Sequence, residues 1–242
     1  MRRLLGAAVL AGCVAGAAAA AERVDVELVL LADATGSIDD VEIRLQRQGY
    51  AAALADPEVL AAVAQGFEQR IAVTFGEWAA LGSLEIIVPW TIIDGPESAT
   101  AFGATLLAAP RRAYGRNAIG SAIAFGQALI EGNAIDGHRK VIDLSADSAS
   151  SWSGVPIAEA RAAALAADIV INGLAIACRD CSGRPVGYDL ELAFAERIIG
   201  GPASFVVTAD GDTSFAEAVR RKLILEIAGR ADHAVRLAAD QR

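Results

Sequence analysis

Histidine, cysteine and methionine are scarce in this chain, at two, three and one of 242 residues. That scarcity removes most of the sites these residues build. His138 and His233 stand alone in the sequence, and there is no Gly-x-Ser-x-Gly elbow, so a serine nucleophile has no base in view. His138 precedes a predicted strand, the wrong end for a strand-end site, and His233 lies in the tail. A zinc site lacks enough thiolate and imidazole ligands. No glycine-rich Gly-Lys-Ser/Thr phosphate loop is present. Positive charge is also in deficit: 21 Lys and Arg against 30 Asp and Glu leave a net charge of -9, which repels nucleic-acid phosphates. After the first twenty or so residues, no apolar run is long enough to cross a bilayer.

Apolar residues are plentiful, at 54% with a mean hydropathy of +0.40. Alanine inflates both values, yet they suffice for one large core. The N-terminus, "MRRLLGAAVLAGCVAGAAAAAERVD", has a basic start at Arg2 and Arg3, an apolar stretch over 4–17 and small residues before Glu22. It reads as an export signal cleaved near Ala21. "LAGC" also resembles a lipoprotein box that would anchor the protein through a lipidated Cys13. The expected division is a signal peptide over 1–21, one domain over 22–229 and a polar tail over 230–242, in a periplasmic or secreted protein.

Strand and helix patterns then alternate. An apolar run over 24–32 predicts a strand buried on both faces. Asp39 and Glu42 form a capping box for a helix to about residue 55, and "DPEVLAAV" restarts a short one with proline at its first position. Residues 70–78 and 84–93 read as an antiparallel hairpin. Helices are expected over 98–108 and 118–130, a short strand over 140–145, a helix over 155–167 and a strand over 169–177. A helix over 188–199, a strand over 204–208 and a helix over 213–228 capped by Gly229 complete the pattern. This predicts an α/β fold: a single doubly wound, mostly parallel sheet with one antiparallel edge strand and helices on both faces. Ligands of such sheets sit beyond the carboxyl ends of the strands. Asp33 lies at one such end, Asp147 just past another, and the "GRNAIG" loop is placed to complete the rim.

"DATGS", "GRNAIG" and "LSADS" resemble the metal-binding loops of von Willebrand factor A domains. "QRQGYAAALADPEVL", "VTFGEW", "VPWTIID", "AIGSAIAFGQAL", "IIGGPASFVV" and "RRKLILEIAG" are similar to a bacterial exported family, domain of unknown function 1194, placed in that superfamily. The resemblance implies a metal site of Asp33, Thr35 and Ser37 from the first loop, Asn117 from the second and Asp147 from the third. Thr35 stands where the pattern has serine, and Asn117 where it has threonine. All five offer hard oxygen donors, which suit Mg²⁺ or Ca²⁺. The changed reach of Asn117 favours the more permissive Ca²⁺. Without the other loops, "DATGS" reads as a capped strand-to-helix turn rather than a cation loop.

Trp78 and Trp90 read as hairpin packing. Trp152, in the polar "SASSWSG" loop after Asp147, reads either as a ligand contact or as an ordinary packed loop residue. "CRDC" follows a strand. In an oxidising compartment Cys178 and Cys181 are expected to pair as a structural disulfide, beside the alternative of redox or free thiols. The expected function is non-catalytic: binding a protein partner or acidic ligand through a divalent cation at the rim. The alternatives are a metal-dependent hydrolase, for which no placed general base is visible, and a metal-free scaffold of an envelope assembly.

Overall fold

The computed structural model describes residues 21–177, 186–210 and 215–229. The leader with Cys13, the Cys178–Cys181 pair and the 230–242 tail with His233 lie outside the described residues.

The described chain runs β1 (Glu22–Asp33), α1 (Asp40–Leu54), α2 (Pro57–Ala64), β2 (Ile71–Trp78), β3 (Leu84–Ile93), α3 (Pro96–Ala108), α4 (Ile119–Glu131), β4 (Ile135–Ala146), α5 (Ile157–Ala166), β5 (Ile169–Ile176), α6 (Leu190–Arg197), β6 (Val206–Ala209) and α7 (Phe215–Ala228). The strands form one sheet in the order β3-β2-β1-β4-β5-β6, parallel except for β3, which runs antiparallel at the edge. β1 is central because both its faces are apolar. Val26, Leu28, Leu30 and Ala32 enter one core with α1, α2, α3 and α7. Val29 and Leu31 enter the other with α4, α5 and α6. Side chains two apart on a strand share a face, so a continuous apolar run requires two covering layers.

The helix starts follow the local chemistry read from the sequence. Asp39 accepts from the Val41 and Glu42 amides, Glu42 accepts in return from the Asp39 amide, and Asp56 caps the proline-led α2. Gly229, at φ 73°, ends α7 in the left-handed conformation.

One strand is twice the expected length. β4 has twelve residues, and its first five, "IDGHR", alternate in exposure beside the start of β1. Their polarity hid a strand that faces solvent on part of its length. His138 therefore stands within β4 rather than before it, but still at the amino end, where Nε2 lies 3.3 Å from Glu68 Oε1. Among the described residues no helix is long and apolar enough to cross a membrane.

The chain lays β2 and β3 on one side of β1 and then crosses to place β4 on the other. The carboxyl ends of β1 and β4 thus flank the point where strand order reverses, the crevice that sheets of this type leave open for ligands.

Candidate cation centre at the sheet rim

β1 delivers Asp33 to the rim fully buried. The Thr35 amide donates to Asp33 Oδ1 at 2.8 Å, closing a turn around the carboxylate. Thr35 is buried and Ser37 exposed, yet their hydroxyl oxygens stand 3.1 Å apart. Asp39 then starts α1, and from that helix Gln46 Nε2 reaches back to the Asp33 carbonyl at 3.2 Å. The turn is held from both its flank and its underside.

The loop over 109–118 supplies the flank. Arg111 donates to the carbonyls of Ala34 at 2.8 Å and Thr35 at 3.3 Å, and pairs with Asp40 at 2.9 Å. The Gly36 amide donates to the Gly115 carbonyl at 2.8 Å. Gly115 has φ 118°, and a Cβ there would stand 2.6 Å from Ala80 Cβ, so glycine is required for this loop to pass the turn between β2 and β3. Asn117 follows, with Nδ2 donating to Ser148 Oγ at 2.5 Å. That bond engages the amide nitrogen and leaves Oδ1 as the donor atom Asn117 can offer a cation.

The third loop leaves β4. Asp147 is half-buried, and its amide donates to Asp33 Oδ2 across a long 3.4 Å. Trp152 donates its amide to the Asn117 carbonyl at 2.8 Å. Asp33, Thr35, Ser37, Asn117, Asp147 and Trp152 therefore lie on three loops that hydrogen-bond to one another.

The charge balance of the site is one-sided. Burial first, and then the charge of Asp147, push the Asp33 carboxyl up to about 7, against the hydrogen bonds from Thr35 and the Asp147 amide. Asp33 forms no ion pair with a described residue. Two carboxylates brought together in a low-dielectric place repel each other, and a hard cation is what such an oxygen set fits. Among the described residues no three His, Cys, Asp or Glu side chains cluster, so the donors here are hydroxyl and amide oxygens around two carboxylates.

Gln46, Arg111 and Ser148 escaped the sequence reading. Each acts by holding a loop or turning a ligand, and only the arginine-rich "PRRAYGR" of an acidic chain carried a visible signal.

Comparison with curated proteins finds no match. Among solved structures, proximal thread matrix protein 1 from the mussel byssus is similar at 18% identity and a TM-score of 0.59, over 88% of this chain and 49% of that one. A further structure of it has a zinc-occupied MIDAS motif. The pilus adhesin SpaC from Lactobacillus rhamnosus GG gives a TM-score of 0.58 at 13% identity, over 85% of this chain and 30% of that one. Manganese-loaded TRAP from Plasmodium vivax gives 0.53 at 16% identity, over 84% and 73%. The chain spans about half the length of the mussel protein it matches. These likenesses establish the fold as that of a von Willebrand factor A domain. A family model matches residues 23–231, and the chain belongs to that family, described as Protein of unknown function (DUF1194).

Proposed function

We propose that this is an exported, non-catalytic binding protein that engages a protein or another acidic ligand through a divalent cation at the sheet rim. The observation that carries the reading is Asp33: a fully buried carboxylate at a strand end, facing a second carboxylate and forming no ion pair with a described residue. Asp33, Thr35, Ser37, Asn117 and Asp147 would hold the ion. Bound there, it would balance the two carboxylates in charge while five side chains leave at least one of its about six to eight oxygen positions open, and an acidic group of a partner would fill it.

The binding character rests on what surrounds the centre. His138, the one histidine among the described residues, sits at the opposite, amino end of the strands, 3.3 Å from Glu68 and edge-on to Phe67. Among the described residues no histidine lies at the rim to serve as a base there, and in this reading the two rim carboxylates are taken up by the ion. Export rests on the leader sequence.

Thermal and urea unfolding with Ca²⁺, Mg²⁺ or Mn²⁺ tests the reading. A cation bound only by the folded state stabilises it by about 2.7 kcal/mol at one hundred times Kd. For a chain of this size that raises Tm by several degrees. Asp33→Ala abolishes the shift. Melting curves of wild type and of Asn117→Thr that stay unmoved by all three ions would falsify the cation reading.

A further inference from the structure

We infer that the rim carries a second subsite beside the cation centre, Arg116 stacked on Trp152, and that the two together take an acidic protein segment through two of its carboxylates. This rests on the cation reading above and adds to it the class of partner and where it lies.

The chain is acidic overall, yet the "APRRAYGRNA" segment over 109–118 has three arginines and no carboxylate. They are used differently. Arg111 is consumed internally by Asp40 and two carbonyls. Arg116 is exposed and forms no ion pair with a described residue. Its guanidinium carbon lies 4.8 Å from the centroid of the Trp152 ring. A guanidinium held over an aromatic face keeps its N–H edge available, and that edge matches a carboxylate with two parallel hydrogen bonds.

The stack is tied to the cation centre by backbone. Arg116 is the neighbour of Asn117, whose carbonyl accepts from the Trp152 amide at 2.8 Å. Trp152 is 69% exposed, Tyr114 58% and Leu81 62%. Tyr114 carries its own stacked arginine, Arg111, at 4.8 Å, and its amide is bonded to Ser83 Oγ at 2.8 Å, in the turn that holds Leu81. Three wet apolar side chains and two arginine stacks therefore lie on loops that hydrogen-bond to one another next to Asn117. Tryptophan, tyrosine and arginine are the residues that anchor protein interfaces. The apolar surfaces suit the side chains of a peptide, and a bare polyphosphate has nothing to lay on them.

The test uses fluorescein-labelled hexaglutamate as probe, with the cation that gives the largest melting shift, read by anisotropy at low and high salt. Wild type binds it, and less tightly at high salt. Arg116→Glu weakens binding at least tenfold, Trp152→Ala several-fold, and Arg116→Lys less than Arg116→Glu. All three variants keep the cation-induced melting shift, which reports the cation centre separately. Arg116→Glu and Trp152→Ala proteins that bind like wild type overturn the proposal, as does a preference for heparin or polyphosphate over hexaglutamate. A wild type whose melting ignores cations fails the underlying reading, and that failure is seen in the melting curves whatever Arg116 does.

Discussion

Beneath the sheet, Asp143 of β4 and Glu226 of α7 are fully buried, and Lys222 joins them, 2.7 Å from Asp143 and in direct contact with Glu226. Asn172 donates to the same Glu226 oxygen at 3.1 Å. At the rim, Asp33 is as deeply buried and faces Asp147, and it has no ion pair with a described residue. Elsewhere Glu77 is matched by Arg47 at 2.7 Å, and Glu27 by the neutral donors of Asn133 and Gly137. Buried charge in a protein requires an opposite charge or a full set of hydrogen bonds. Under the sheet that requirement is met in part by a side chain of the fold, Lys222, and in part by raised carboxyl pKa values that let one of the two acids keep its proton. At the rim no described side chain meets it by an ion pair, and in the proposed reading an ion from solvent does so, which is how a structural ion cluster would differ from a binding site made of the same residue types.

The sharpest way to break the comparison is to remove the internal cation. Lys222→Met strands two carboxylates in the core and should cost about 3–5 kcal/mol in urea unfolding. A loss near zero would mean that Lys222 does not neutralise them.

At the rim the sign reverses. With chelator present, Asp33→Asn removes a buried charge that lacks a partner, and stability should rise on the order of 1–2 kcal/mol. With the cation present, the same variant should lose the stabilisation that wild type gains. A variant less stable than wild type under chelator would show that Asp33 is already neutralised from within.

The pH dependence sharpens the contrast further. Burial, and then the charge of Asp143, push Glu226 up to about 7, with Lys222 and Asn172 opposing. Between the ordinary carboxylate range and pH 7 the folded state therefore holds a proton that the unfolded chain has released. Its contribution to stability is full below about pH 4.3 and is lost as pH rises through 7, with a slope of up to about 1.4 kcal/mol per pH unit. Urea midpoints between pH 5 and 8 should fall less steeply for Glu226→Gln than for wild type. Equal slopes would remove Glu226 from the titration.

The smallest effect is expected at Asn117. Asn117→Thr restores the hydroxyl of the superfamily pattern and should tighten the cation a few-fold, under about 1 kcal/mol. The measurement is the cation concentration at half-maximal melting shift, and a looser site would mean that the amide oxygen fits this rim better.

The architecture was legible where side-chain pattern and backbone requirement coincide. The apolar run ending at Asp33, the Asp39–Glu42 capping box and the hairpin ending at Trp78 and beginning again at Leu84 each state a local geometry in their residue types. The start of β4 was hidden because "IDGHR" is polar, and pairing with β1 rather than hydrophobicity makes it a strand. The ion cluster under the sheet was missed for a different reason. Lys222 and Glu226 are four apart on a helix, the spacing of any solvated pair, and only an aspartate inside "VIDLS" and an asparagine inside "IVING" put polar partners on buried strands. At the rim the three loops were visible one by one in the sequence. What joins them, from Arg111, Gln46 and Ser148, depends on distances that a linear pattern does not encode.

The three tryptophans occupy three different surroundings. Trp78 is fully buried, with its indole N–H on the Ser145 carbonyl at 3.3 Å, and Trp90 is half-buried on the Leu129 carbonyl at 3.2 Å. Trp152 alone stands in water at the rim, beneath a guanidinium. The molecule therefore carries a built-in optical gauge. Iodide, concentrated by the arginine, should darken the Trp152 emission first and leave the bluer light of the two sheltered indoles. An acidic chain settling on the arginine should displace the quencher and bring that emission back, so occupancy of the rim can be followed without any label.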